Sequence, residues 1–454
     1  MARTVVRGRR TARASAPARA RAVAPVEPGV LEPGAWAVRQ AKLPVWPIVG
    51  MFALLPLWWG LGLFYIAWPL FGAVLLSLLT SRGNIRLPTG TVLWLIFLGI
   101  VTVSATRLSY VTNLIIFGLR LGHLVTGLLV GIYVYNLIRD GVPWTKVANP
   151  LAIFWLSMVA LGWLGVLLPT FSFPSPFELV LPHGVQAERY ILDITHLDST
   201  EFNKFSRNPI YRPAAPYPYT NNWGTAYSFL VPFVLAYLTS VRRGPMRIVL
   251  LVSLPLSLVP AFLTLNRGMF IGLGAGVAYL LFREVMRGRV RLLLPVVGIV
   301  LIGWIVTLFI PVFDLITNRT SSTDTTSDRF DLYVQTWAAV VHSPLLGFGQ
   351  PNSVDTTHAS EPLGTQGMIW QLLYSHGIPA TICFYLLLLV IARRLAAAVT
   401  PSGLWLSALP VIAAIVTPFY SYIDPNMSVL FFALGLGLAA VDGPVNRIPK
   451  EVPA

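Results

Sequence analysis

Residues 110–138 read YVTNLIIFGLRLGHLVTGLLVGIYVYNLI, a long apolar run in which Arg120 is the only residue with a permanent charge. A helix needs roughly 20 apolar residues to cross the hydrocarbon core of a bilayer. Further apolar runs occupy 45–57, 60–80, 88–106, 147–168, 223–240, 246–265, 267–283, 291–310, 368–392, 404–420 and 426–441. The sequence therefore predicts an all-α, polytopic membrane protein with about 12 transmembrane helices.

The composition excludes a soluble protein. The chain is 55% hydrophobic and only 11% charged, whereas a soluble domain carries about 25% charged residues. Its one cysteine, Cys383, rules out an intrachain disulfide. No grouping of histidine, cysteine or acidic residues has the spacing of a metal site, so no metal or other cofactor is predicted.

The positive charge follows the predicted topology. If the N-terminus is cytoplasmic, the inner connections are 81–87, 139–146, 241–247, 284–290 and 393–403, and each is basic when the residues at its edges are counted. Most acidic residues fall on the opposite side. This agrees with the positive-inside rule and predicts an even number of spans with both termini in the cytoplasm. The net charge of +15 is thereby explained without nucleic acid as a partner.

The predicted organisation has three parts. Residues 1–44 are basic and rich in alanine and proline, which predicts a disordered cytoplasmic tail. Residues 45–442 form the transmembrane domain, with large extracytoplasmic loops at 169–222 and 311–367, and residues 443–454 form a cytoplasmic C-terminal tail. Within the second loop, apolar residues recur at helical spacing from Asp328 to His342. This pattern predicts an amphipathic helix at the membrane interface, with Asp328 as a possible cap.

Five arginines run against the charge bias and are candidates for binding an anion. Arg267 begins a predicted helix at its outer end, Arg329 opens the amphipathic segment, and Arg120 lies inside a span. Arg207 and Arg212 lie late in the first outer loop. Guanidinium groups match phosphate oxygens with paired donors, so these residues could hold a diphosphate. The alternative is that each one pairs locally with an acid or a carbonyl group.

A candidate general base lies in the second outer loop. His358 has Asp355 three residues before it and Glu361 three residues after it. A histidine beside a carboxylate can accept a proton in a reaction near neutral pH. The alternative is a solvated loop histidine without a catalytic role.

Three segments resemble a known family. Residues 262–276 read FLTLNRGMFIGLGAG, residues 328–349 read DRFDLYVQTWAAVVHSPLLGFG, and residues 370–377 read WQLLYSHG. They are similar to the O-antigen ligase and polymerase superfamily in three features. These are an Arg-Gly at an outer helix start, an arginine opening a helix that ends in Pro-Leu-Leu-Gly-x-Gly, and a following Leu-Gln-Leu-Leu-x-x-x-Gly helix.

The resemblance implies an inverting, metal-independent glycosyltransferase. Its donor would be a polyprenyl-diphosphate-linked glycan, its acceptor a glycan or glycolipid, and its surroundings membrane lipid. Arg267 and Arg329 would take the diphosphate-binding places. The family often has a histidine where this chain has Gln366, and glutamine cannot act as a base. Either His358 or Glu361 therefore supplies the base, or Gln366 only orients the acceptor.

The resemblance also implies a location, the bacterial cytoplasmic (inner) membrane with an extracytoplasmic active site. Two other functions remain open. A transporter or flippase of lipid-linked glycans would need a polar path across the membrane, preferably with repeats and broken helices. A non-catalytic membrane scaffold would tolerate replacement of Arg267.

Overall fold

The structure, a computed structural model, describes residues 42–108, 113–186, 188–202, 210–288, 325–351 and 363–443. In the helix that begins at Thr325, side chains are described from Phe330 onward. Most of the two predicted tails, the predicted span 291–310 and the loop residues 352–362 lie outside this part of the chain.

The first half of the described chain is almost entirely helical. Its helices are α1 (Trp46–Ile48), a π-helix (Val49–Ala53), α2 (Leu55–Gly60), α3 (Phe64–Arg82), α4 (Thr91–Ser104), a 3₁₀ turn (Ala105–Arg107), α5 (Asn113–Arg139) and α6 (Trp144–Leu167). The boundaries follow local chemistry. Gly83 ends α3 in the left-handed region, with a φ of 76°, a backbone conformation that glycine adopts without steric cost.

Helices also make up most of the second half. They are α10 (Thr220–Ser240), α11 (Pro245–Leu263), α12 (Arg267–Met286), α13 (Thr325–His342), α14 (Met368–Leu395), α15 (Pro401–Leu406), α16 (Leu409–Val416) and α17 (Pro425–Asp442). The Thr400 hydroxyl caps α15 by accepting a hydrogen bond from Gly403 N at 3.2 Å. A proline at the first position of α15 and of α17 fits a site where no N–H is needed.

Between α6 and α10 lies a long connection with its own structure. It contains β1 (Ser172–Phe173), α7 (Pro176–Val180), α8 (His183–Gln186), α9 (Arg189–Thr195), β2 (Leu197–Asp198), β3 (Thr200–Phe202) and β4 (Tyr211–Pro213). Strand β1 pairs antiparallel with β2, and β3 pairs antiparallel with β4. This connection corresponds to the predicted first outer loop.

Within the described ranges, seven helices are long and apolar enough to cross a membrane: α3, α5, α6, α11, α12, α14 and α17. Shorter apolar helices cover 91–107 and 401–416. The prediction of a helical, polytopic membrane protein is thus confirmed in its coarse form. The count of about 12 spans and their orientation stay predictions.

The core is built around α17, almost all of which is buried. It packs on α5 and α10. At its crossing with α5, a Cβ added to Gly435 would lie 2.7 Å from the carbonyl oxygen of Gly131. Glycine at this crossing lets the two backbones approach closely, as is common between helices in membranes.

Several basic connections meet at one end of the bundle. Arg82 forms an ion pair with Asp140 at 2.7 Å, and Arg394 forms one with Asp442. Arg287 donates to the carbonyl oxygen of Ala396 at 2.9 Å. Arg139 also donates to the carbonyl oxygen of Asp442, so four of the five predicted inner connections, all except 241–247, are joined to one another by these contacts.

Helix α13 matches the predicted amphipathic segment, with one correction. It begins at Thr325, three residues before Asp328, so Asp328 lies inside the helix and is not its cap. Four apolar side chains of the predicted face are exposed: Phe330, Val334, Trp337 and Val341. Tyr333 instead stacks on Trp370 of α14, with ring centroids 4.4 Å apart. The exposed stripe suits the membrane interface.

The Pro-Leu-Leu-Gly-x-Gly segment, residues 344–349, is hydrogen-bonded to α14 at a break in that helix. At Gly377 the backbone leaves the helical region, with φ 80° and ψ −179°. The freed carbonyl oxygens of Tyr374 and Ser375 accept hydrogen bonds from Phe348 N at 2.9 Å and Gly349 N at 2.8 Å. Two of the segments quoted from the sequence, 344–349 and 370–377, thus contact each other through these hydrogen bonds.

Candidate functional site

Arg267 is the first residue of α12, and its position is fixed by its neighbours. The side chain of Asn266 caps the helix by accepting a hydrogen bond from Met269 N at 3.1 Å. Asn266 is buried against Gly224 of α10, where an added Cβ would lie 2.0 Å from the Asn266 amide nitrogen. The guanidinium of Arg267 is exposed, and within the described ranges it has no hydrogen-bond or ion-pair partner.

Tyr420 joins the start of α12 to the start of α14. Its hydroxyl accepts a hydrogen bond from Gly268 N at 3.0 Å, and its carbonyl oxygen accepts one from Met368 N at 3.0 Å. The backbone at Gly367 leaves no room for a side chain, because an added Cβ would lie 2.5 Å from the carbonyl oxygen of Pro418. The two helix starts are therefore held on one short segment, 417–420.

Two predicted residues, Arg267 and Gln366, lie at the two helix starts that this segment holds. Gln366 lies two residues before α14 and is 7% exposed. Residue 329 lies on α13, one helical turn before Tyr333, whose ring stacks on Trp370 in the first turn of α14. The side chain of Arg329 lies outside what is described.

Arg120 faces a separate cavity inside the bundle. The cavity is lined by polar side chains among apolar ones: Arg120, Gln371, Ser375 and His376, with Val101, Phe117, Leu121, Leu124 and the backbone of Gly349. The guanidinium also lies over the ring of Tyr190, 5.3 Å from its centroid, which is a cation–π contact. A guanidinium, an amide, a hydroxyl and an imidazole thus surround one small cavity.

One imidazole in that cavity has a buried hydroxyl partner. Ser104 Oγ lies 2.7 Å from His376 Nδ1 and 2.6 Å from the carbonyl oxygen of Val101. This hydroxyl therefore connects α4 to the segment of α14 that lines the cavity.

Gln371 connects the Arg120 cavity to the Tyr420 segment. Its side-chain oxygen accepts a hydrogen bond from the Ser421 hydroxyl, while its side chain also lines the cavity. Arg120, Gln366 and Arg267 are therefore linked through residues 417–421.

A buried carboxyl group lies next to this segment. Asp424 is 3% exposed and accepts hydrogen bonds from Asn426 N at 2.7 Å and from the Asn222 side chain. Tyr217 donates to the Asn426 side chain at 2.6 Å. Burial raises the pKa of the Asp424 carboxyl from 3.8 to about 7, although the hydrogen bonds from Asn426 and Asn222 oppose this change.

Asp424 is expected to make stability depend on pH. In the unfolded chain it ionises near pH 4, while in the folded protein it stays protonated up to about pH 7. The stabilisation that the neutral Asp424 carboxyl gives the folded protein is therefore complete below about pH 4. It is lost as the pH rises toward 7, where the free energy of unfolding falls by up to about 1.4 kcal/mol per pH unit. Thermal unfolding in detergent at pH 5 and pH 7.5 should show a smaller difference in Tm for Asp424→Asn than for the unsubstituted protein.

The matched control for this prediction is Glu188→Gln, which replaces an exposed acid of the α6–α10 connection. Its Tm should vary with pH as in the unsubstituted protein. An unchanged pH dependence in Asp424→Asn would show that the Asp424 carboxyl is not the group responsible.

Arg212 is placed elsewhere and is already paired. It is 8% exposed and forms an ion pair with Glu201 at 2.8 Å across the β3–β4 hairpin. The second oxygen of Glu201 accepts a hydrogen bond from Thr220 N at 2.8 Å, at the start of α10. In this structure the Arg212 guanidinium thus helps to position that helix. Arg207, His358 and Glu361 lie outside the described residues.

Sequence reasoning missed Tyr420 and Asp424. A tyrosine in a short apolar connection gives no signal of its own. Asp424 did offer one, because it is an acid directly before an apolar run of 17 residues or so, where burial is costly.

The described residues define a class, a helical integral membrane protein with an arginine-bearing polar site where several helices begin. A comparison with protein families narrows this class to one superfamily. The family model of O-Antigen ligase matches residues 251–385, a range that contains Arg267, Arg329, Gln366, the Pro-Leu-Leu-Gly-x-Gly segment and residues 370–377. This match supports the assignment of the chain to the O-antigen ligase and polymerase superfamily, and it confirms the resemblance. No curated protein matches the chain significantly.

Proposed function

We propose that this protein is a glycosyltransferase that moves or polymerises a glycan from a polyprenyl-diphosphate-linked donor onto an acceptor sugar hydroxyl. The reaction would be inverting, metal-independent and located at the outer face of the cytoplasmic membrane. The family match indicates an O-antigen ligase or polymerase type of function. The observation that carries the finer proposal is the exposed Arg267 guanidinium at the start of α12, because Tyr420 links that helix start, through Gly268 N, to the start of α14, two residues after Gln366.

The proposed role of the arginines is to stabilise the leaving group. When the glycosidic C–O bond to the diphosphate breaks, negative charge grows on the departing oxygen. A guanidinium near that oxygen lowers the barrier, because its positive charge and N–H donors stabilise the negative charge that develops in the transition state. Arg267 would supply this charge together with Arg329. The exposure of Arg267 and its lack of a partner among the described residues support this role.

The acceptor hydroxyl must also lose a proton. In this proposal His358 or Glu361 accepts it, and Gln366 orients the acceptor sugar by hydrogen bonding. The place of Gln366 in the chain supports an orienting role, because the backbone two residues later, at Met368 N, donates to the carbonyl oxygen of Tyr420. Glutamine itself cannot take the proton.

The other three arginines have unequal support. Arg120 is a proposed further diphosphate contact, since its cavity is joined to the Tyr420 segment through Gln371. Arg212 has weaker support, because the carboxylate of Glu201 already neutralises it. Arg207 rests on the sequence argument alone.

The experiment that tests this function uses the purified protein in proteoliposomes with a polyprenyl-diphosphate oligosaccharide. We expect new glycosidic bonds, seen as longer or transferred glycans, together with release of polyprenyl diphosphate. A flippase would instead move the labelled lipid across the bilayer without forming a glycosidic bond. That result, or no reaction with a range of acceptors, would contradict the proposal.

A further inference from the structure

Three side chains in the α6–α10 connection form a hydrogen-bonded line that the proposed glycan transfer does not use. Ser172 Oγ lies 3.0 Å from His196 Nε2. His196 Nδ1 lies 2.9 Å from a carboxylate oxygen of Glu178. The order is hydroxyl, imidazole, carboxylate, with each imidazole nitrogen facing a different partner.

The chemistry of the partners fixes the direction of these hydrogen bonds. An ionised carboxylate only accepts, so His196 Nδ1–H donates to Glu178. In the neutral imidazole, Nε2 then carries the lone pair and accepts the Ser172 hydroxyl proton. This is the arrangement by which a histidine removes a proton from a serine nucleophile, with an acid that holds the imidazole in the right tautomer.

Each of the three groups is held by its local structure. Ser172 lies in β1, paired with Asp198 of β2. His196 directly precedes β2, and its backbone N–H donates to the carbonyl oxygen of Leu192 at 2.8 Å. Glu178 belongs to a capping box with Ser175, in which the Ser175 hydroxyl accepts from Glu178 N at 3.0 Å. The line is therefore oriented before any substrate arrives.

The site is open to a substrate and has apolar surroundings. Ser172 is exposed, while the side chains of His196 and Glu178 are 25% and 14% exposed. Phe173 follows the serine, and Leu179 and Val180 follow the glutamate; they are 43%, 70% and 75% exposed. Exposed apolar side chains beside a polar group favour a substrate with an acyl chain at the membrane interface.

We infer that Ser172, His196 and Glu178 form a second active site, which cleaves or transfers carboxylic esters. Ser172 Oγ attacks the ester carbonyl carbon as its proton passes to His196 Nε2. The bond between that carbon and the alcohol oxygen breaks, and the alcohol leaves with the proton from Nε2. Water, activated by His196, then attacks the acyl-serine and releases the carboxylic acid. The sum is ester plus water giving alcohol plus acid, and a sugar hydroxyl in place of water would give acyl transfer.

Labelling of the purified full-length protein with a fluorophosphonate probe tests the nucleophile. We expect one labelled serine, mapped by mass spectrometry to Ser172. The label should be lost in Ser172→Ala and slowed on the order of 10²-fold in His196→Ala, with partial recovery when free imidazole is added. Ser402→Ala, which removes a serine at the start of α15, should label like the unsubstituted protein.

Rates of ester hydrolysis then test the role of Glu178 and distinguish long-chain esters from acetylated sugars as substrates. Glu178→Gln should lower kcat at least about tenfold with KM unchanged, because Glu178 acts through His196 and does not touch the ester. A decanoyl ester in mixed micelles should be cleaved faster than an acetylated sugar. Faster cleavage of the acetylated sugar would overturn the long-chain assignment.

The outcome that overturns the whole inference is absence of label in the unsubstituted protein, or label that persists in Ser172→Ala. Ser172 is exposed on a two-residue strand, so its replacement by alanine should leave the Tm essentially unchanged. Glycan transfer by Ser172→Ala should remain unchanged, so that failure of this inference and failure of the proposed function are distinguishable.

Discussion

Arg267→Ala is expected to lower the rate of glycan transfer by at least about 10²-fold while the protein still inserts and keeps its Tm. Removing one oriented donor from a developing anion costs about 10² to 10³ in rate. The Arg267 side chain is exposed and has no partner within the described ranges, so its loss leaves no buried group unpaired. The measurement is the rate of polyprenyl-diphosphate release in proteoliposomes, alongside thermal unfolding in detergent.

Two further variants sharpen this test. Arg267→Lys should recover only part of the rate, because a point charge replaces a planar pair of donors. Arg243→Ala removes an exposed arginine from the connection between α10 and α11 and should transfer glycan at the normal rate. A normal rate in Arg267→Ala would remove this residue from the mechanism and favour the scaffold or flippase alternatives.

Gly377→Ala is expected to have the largest effect on stability, at least about 3 kcal/mol. Its backbone angles lie in a region that is nearly restricted to glycine, which costs a side chain about 1 to 3 kcal/mol. An added Cβ would also lie 2.5 Å from the backbone carbon and oxygen of Leu345. These atoms cannot move freely, because Pro344 O accepts from Ile378 N at 2.8 Å. The yield of monodisperse protein and its Tm should both fall.

The control for this prediction is Gly274→Ala in α12. A Cβ at Gly274 meets no atom within 4 Å, and alanine is a better helix former than glycine. Its Tm should equal or slightly exceed that of the unsubstituted protein. If Gly377→Ala were as stable as Gly274→Ala, the contact between residues 344–349 and α14 would not be rigid.

The helices could be predicted from sequence because their signal is local. Apolar runs and the charges between them are read within about 20 residues, and the observed helices α3 to α6 follow the predicted runs closely. The amphipathic pattern from Asp328 to His342 likewise became α13. The start of α13 at Thr325 was missed because a polar first turn carries no apolar periodicity.

The site could be predicted only in part. Arg267 and Gln366 were selected from sequence, the first by its unusual charge and the second by a resemblance. Their common support could not be found in this way, because Gly268 and Tyr420 are 152 residues apart and no local pattern pairs them. The same holds for Ser172, His196 and Glu178, whose geometry depends on how β1 meets β2.

The two hydrogen bonds of Tyr420 have a consequence for how the protein adapts to membranes of different thickness. A single helix adjusts to a thinner or thicker bilayer by tilting or sliding, which would change the depth of any group at its end. Since one residue holds the starts of both α12 and α14, Arg267 and Gln366 change depth together. Their mutual distance should therefore be insensitive to lipid chain length.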